Sequence, residues 1–109
     1  MTNVTGSTVW GVVGAKATIQ PGSSKNFSVA SSEPGTYILT FNPPFAEPPA
    51  IVGTQCQFNE PGPPITESTQ DGLVFPQVTP SSAIVLTGNS VGTRTPRAFS
   101  FVAMGIRAS

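Results

Sequence analysis

The residue types that could do covalent chemistry are few in this chain. Gly88-Asn89-Ser90-Val91-Gly92 has the G-x-S-x-G spacing of a nucleophile elbow, in which a strained strand-to-helix turn presents a serine to a histidine base. The chain contains no histidine, and the motif is followed by Thr93-Arg94-Thr95-Pro96 instead of a helix. The pentapeptide is therefore expected to be a glycine-flanked hairpin tip. Without histidine, the chain also loses the usual general base and the commonest transition-metal ligand. A pair of carboxylates for glycoside hydrolysis would have to come from Asn59 to Gly72, or from Glu33 and Glu47, all in turn contexts that offer no rigid frame. One aspartate and no D-x-D-x-D-G run give no basis for a hard-cation site. The expectation is no catalytic residue, no metal and no cofactor. Cys56 is the single cysteine and cannot close an intrachain disulfide; its neighbours Ile51, Val52 and Phe58 predict a buried thiol.

What remains is non-covalent recognition. Two segments read as long loops, NEPGPPITESTQDG over 59–72 and GNSVGTRTPR over 88–97. Loops of that length in a compact domain carry function or disorder. The first holds Glu60, Glu67 and Asp71 of the five acidic residues, and the second holds Arg94 and Arg97 of the five basic ones. Candidate ligand-binding groups are Asn89, Arg94 and Arg97 from one loop, with Gln70 and Asp71 from the other; the competing expectation is that both loops are solvated hairpin tips. Trp10, the only tryptophan, is a candidate stacking platform for a ligand, or else a core or interface residue within Val9-Trp10-Gly11-Val12-Val13.

These loops need a frame, and the composition says which kind. The chain has 109 residues, within the size of one domain, and its 11 glycines and 12 prolines are too many for a helical bundle. A content of 38% hydrophobic residues supports a core. Short β-rich runs alternate with turn clusters about every ten residues, which predicts an all-β fold, a single antiparallel β-sandwich of about 6 to 8 strands. Strands are expected near 8–14, 17–20, 26–31, 36–42, 50–58, 73–79, 83–87 and 98–106, in one domain over 1–109 with 1–7 as a flexible N-terminal arm. In the strand over 36–42, Tyr37, Leu39 and Phe41 share one face. In the last strand Phe99, Phe101 and Ala103 line one face, and Val102, Met104 and Ile106 make the other apolar too. The second face predicts an oligomer interface at Val102, Met104 and Ile106, or else cover by a loop of the same chain.

Five basic and five acidic residues cancel, leaving no basic excess to displace phosphate counterions, so nucleic acid is not an expected partner. No apolar run approaches the roughly 18 residues that span a bilayer. The polar stretch from Met1 to Thr8 is unlike a signal peptide. A soluble protein without membrane insertion is expected.

The segment Gly35 to Thr54, GTYILTFNPPFAEPPAIVGT, describes a strand running into a proline-rigidified crossover in which Phe45 plugs the end of the core. Prolines 43, 44, 48 and 49 cannot donate to a ladder, which puts the crossover at an edge or outside the sheet, and the Pro-Pro steps admit a cis bond. Together with the closing Ala98 to Gly105, AFSFVAMG, this segment resembles small β-sandwich modules of bacterial and phage tail-fibre or receptor-binding proteins, which look like H-type lectin domains. The matched positions are Gly35, Tyr37, Phe41, Pro44, Phe45, Pro49, Phe99, Phe101 and Gly105, all of them scaffold positions. The resemblance implies a jelly-roll or H-type-lectin-like sandwich, a homotrimer or higher assembly, and a virion or bacterial setting. It also implies a glycan or cell-surface receptor as ligand; no sugar-pocket residue of the animal members has a counterpart here. Two readings follow: a non-enzymatic, carbohydrate-binding recognition module with loop-borne sites, or a structural virion decoration, adaptor or fibre-capping subunit without a ligand.

Overall fold

A computed structural model describes residues 4–56 and 68–108. They form seven strands: β1 (Val4–Val13), β2 (Phe27–Glu33), β3 (Thr36–Phe41), β4 (Ala50–Gln55), β5 (Leu73–Val78), β6 (Ser82–Thr87) and β7 (Phe99–Ala108). The protein is all-β, with two antiparallel sheets packed as a single sandwich. One sheet has the order β1-β7-β4 and the other β2-β3-β6-β5.

Alternation decides which residues fill the space between the sheets. Tyr37, Leu39 and Phe41 from β3 meet Phe99, Phe101 and Ala103 from β7, all of them buried, with Val9 and Val13 of β1 and Val85 of β6 completing the layer. The rings interlock at angles: Phe27 meets Phe101 edge-on at 5.0 Å between centroids, and Tyr37 lies 5.1 Å from Phe99. Such edge contacts add to plain area burial.

The proline crossover between β3 and β4 carries no strand of its own, as its missing donors require. Its peptide Asn42–Pro43 is cis. Phe45 turns inward and closes one end of the core, edge-on to Phe41 at 5.2 Å, with the Arg107 guanidinium 4.8 Å above its ring. Gly105 makes room for this plug. A Cβ at position 105 would lie 2.9 Å from the Phe45 ring and 3.2 Å from Pro49.

Three boundaries differ from the sequence expectation. Residues 17–20 form no strand; Gly14 and Thr18 close a tight turn through an N–H to carbonyl bond of 2.8 Å, and only Ile19 pairs back, with Val13. Residues 4–7, expected in an arm, extend β1 because the tail of β7 offers a ladder from Gly105 to Ala108. The fourth strand ends at Gln55; residues 57–58 of its expected span, like most of the 59–72 segment, lie outside the described residues. Cys56 follows that strand, half-buried and not enclosed, with its N–H bonded to the Ala98 carbonyl.

The two edges of the three-stranded sheet are finished differently. The outer side of β1 is closed at Trp10 and Val12 by the segment from Gln20 to Ser24. The Ser24 hydroxyl accepts the Trp10 N–H and donates to the Trp10 carbonyl, both at 3.0 Å, and the Ser23 hydroxyl accepts the Val12 N–H. The opposite edge is β4, six residues long.

Candidate functional site

The loops gather at the end of the sandwich opposite the Phe45 plug, and a small set of internal bonds fixes them there. Tyr37, wholly buried, projects its phenol between two of them. It donates to the Ala15 carbonyl at 2.7 Å and accepts the Arg97 N–H at 3.3 Å. Burial raises its pKa above the ordinary 10.0, against the opposing pull of the Arg97 N–H and the Thr87 hydroxyl.

A second tie joins the two candidate loops directly. Arg97 Nη1 donates to Asp71 Oδ2 at 2.7 Å, and the Asp71 carboxylate is only 5% exposed. The same carboxylate oxygen accepts the Ser68 N–H at 3.0 Å. That backbone donor and then Arg97 hold the Asp71 pKa below its ordinary value. Gln55, at the end of β4, completes the cluster: its amide donates to the Gly72 and Gly88 carbonyls at 2.7 and 2.6 Å, and its oxygen accepts from Arg97.

Within residues 88–97 the chain stitches to itself. Asn89 Oδ1 accepts the N–H groups of Val91 and Thr93, each at 3.0 Å, and the Gly92 N–H bonds the Asn89 carbonyl, closing a turn with Gly92 at positive φ. Thr87, buried, donates to the Thr95 carbonyl at 2.7 Å. The G-x-S-x-G segment is a closed hairpin tip, with Ser90 exposed on it. Gly35 lets the neighbouring turn nest against this strap: its φ is 74°, and a Cβ there would lie 2.8 Å from the Thr95 nitrogen and 2.9 Å from the Thr87 oxygen.

The predicted ligand groups therefore fall into three sets. Asp71 Oδ2, Arg97 Nη1 and Asn89 Oδ1 hold the loops, and Asn89 also borders the groove between Gln70 and Arg94. Gln70 and Arg94 remain at the surface and flank a shallow groove of about 450 Å³, whose floor includes Leu73, Val74 and Leu86 and whose rim includes Ser90. Arg94 reaches Glu33 at 3.4 Å, with both side chains more than half exposed, a pair of small energetic weight. Trp10 is elsewhere. It stands on the outer face of the three-stranded sheet, level with Val102, and its indole N–H donates to the Gly22 carbonyl at 3.0 Å. Val102, Met104 and Ile106 share that outer face and are exposed.

Sequence reasoning missed Gln55 and Tyr37 as organisers of the site. A lone tyrosine whose ring is placed inward at the start of a strand was a usable signal, because its hydroxyl must find partners at the end of the core. Gln55 offered none. Among the described residues no group of three acidic or cysteine side chains is disposed to hold a metal ion, and no helix is long and apolar enough to cross a membrane. Comparison with protein-family models, with curated proteins and with solved structures gave no match.

Proposed function

We propose that this chain is a non-enzymatic surface-recognition module that binds a hydroxyl-rich ligand, a glycan or another cell-surface group, at the loop end of the sandwich. The observation that supports this most is the locking of the loops. Tyr37, the Asp71–Arg97 pair and Gln55 fix three chain segments against one another, so the groove beside them is preformed and binding loses little to ordering. The groove joins an aliphatic floor to the amide of Gln70, the hydroxyl of Ser90 and the guanidinium of Arg94. Apolar lining with a few placed polar groups is the usual make-up of a small-molecule site. Among the described residues no aromatic side chain lines it, so the site would be weak alone, and presentation as a homotrimer, which the tail-fibre resemblance implies, would make it useful through multivalency.

The test is a glycan array and a cell-surface pull-down with wild type against Arg94→Ala and Gln70→Ala. Binding that falls at least about tenfold in the variants supports the module. Equal signals for wild type and variants, or no signal, defeat it.

A second reading, a structural decoration, adaptor or fibre-capping subunit, is favoured by one separate observation: the outer face of the three-stranded sheet is apolar and uncharged.

A further inference from the structure

The groove beside the locked loops offers hydrogen-bond donors and acceptors unevenly. The Gly72 carbonyl already accepts the Gly88 N–H and the Gln55 amide, and the Gly88 carbonyl accepts the Gly72 N–H and the same amide. The Thr87 and Asn89 carbonyls are taken by the Thr95 and Gly92 N–H groups. Asn89 Oδ1 accepts the N–H groups of Val91 and Thr93, and two donors can face only the oxygen of an amide, so the orientation of this side chain is fixed. Its Nδ2, a donor only, is the end that makes no bond among the described residues. The Gln70 amide and the Ser90 hydroxyl can serve either way.

Charge is uneven in the same sense. Among the described residues Arg94 is the one ionisable side chain lining the groove. Its Nη1 reaches Glu33 Oε1 at 3.4 Å and Thr36 Oγ1 at 3.5 Å, while Nε and Nη2 make no bond among these residues. Glu33 is not part of the lining, and its side chain is 63% exposed, so water screens its hold on Arg94. Asp71, the carboxylate next to the groove in sequence, is almost enclosed and is neutralised by Arg97. A free positive charge and a fixed amide donor thus stand beside occupied carbonyls.

We infer that the ligand of this groove is an acidic sugar. Its anionic group, a carboxylate or a sulfate ester, accepts from Arg94 and from Asn89 Nδ2, and an apolar face of its ring lies on Leu73, Val74 and Leu86. A neutral sugar brings hydroxyls, each with a proton that needs an acceptor, whereas an anionic group only accepts and matches what this groove has to give. The inference rests on the proposed function for the sugar and adds its charge.

The test is an array of neutral, carboxylated and sulfated glycans, followed by titration of the full chain with the members that bind. Acidic members should bind at least about tenfold more tightly than their neutral counterparts. That advantage should shrink as salt is raised, and the stronger acidic class names the anion. Asn89→Asp keeps an oxygen for the Val91 and Thr93 N–H groups and exchanges the donor for a negative charge, so it should abolish the preference for acid. If that variant melts below wild type, Arg94→Gln, at an exposed position, carries the same expectation. Glu33→Gln removes the carboxylate beside Arg94 and should strengthen binding of acidic members about twofold. Equal binding of neutral and acidic members, or a preference for acid that survives both Asn89→Asp and Arg94→Gln, would overturn the acidic ligand and leave the recognition module standing. An array that binds nothing would overturn both.

Discussion

The phenol of Tyr37 is the smallest unit on which the loop end depends. Its hydroxyl satisfies a carbonyl from the first turn and an N–H from the last loop in a place closed to water. Tyr37→Phe keeps the ring and strands both partners, and it should lower unfolding free energy by about 1–2 kcal/mol in urea titration. Asp71 gives a signature in pH. Its folded-state pKa lies below the ordinary 3.8, so the folded protein holds the proton less readily than the unfolded chain. The stabilisation is therefore complete above the unfolded value and is lost as pH falls through the lower folded value. Wild type should melt above Asp71→Asn at neutral pH, and the gap should close as the solution is acidified below about pH 4. A gap constant with pH would exclude the ionised carboxylate as the cause.

The crossover between β3 and β4 shows how an element without hydrogen-bonded structure can still close a core. Its prolines take it out of the ladders, and Phe45 compensates by filling the end of the sandwich against Phe41, Gly105 and Arg107. Phe45→Ala should cost about 3–5 kcal/mol, read from the same titration, as for other buried aromatics. Much of this was legible in sequence. The alternation of Tyr37, Leu39 and Phe41, the two-sided apolar β7 and the prolines around Phe45 each dictate a placement through period or missing donors. The first four residues of β1 were not legible, because Val4-Thr5-Gly6-Ser7 has no apolar alternation and owes its strand to the tail of β7. Nor was the turn over residues 14–18, where Ala17 adopts positive φ without a glycine to announce it. At the loop end, Arg97 and Asp71 stood out by charge alone. That they neutralise each other, and that Gln55 bonds backbone 17 and 33 residues away, are facts of tertiary placement with no local trace.

On the scale of the molecule, the chain separates two kinds of surface. One end of the sandwich carries cross-braced loops with polar side chains at the rim of a groove, and one broad flank carries an uncharged sheet face. A ligand at the first would leave the second free, and the zero net charge leaves no strong repulsion between copies. The unlike edges of the three-stranded sheet bear on what such copies can build. Growth of an endless ribbon by strand addition needs two open rims, one to give and one to receive. The Ser23 and Ser24 hydroxyls, with the Gln20 and Ser24 N–H groups, occupy the main-chain groups of Trp10 and Val12, so a β4 rim from another molecule finds no donors or acceptors waiting on that part of the β1 rim. Head-to-tail strand addition through this sheet is thus opposed along the Trp10–Val12 stretch of that rim.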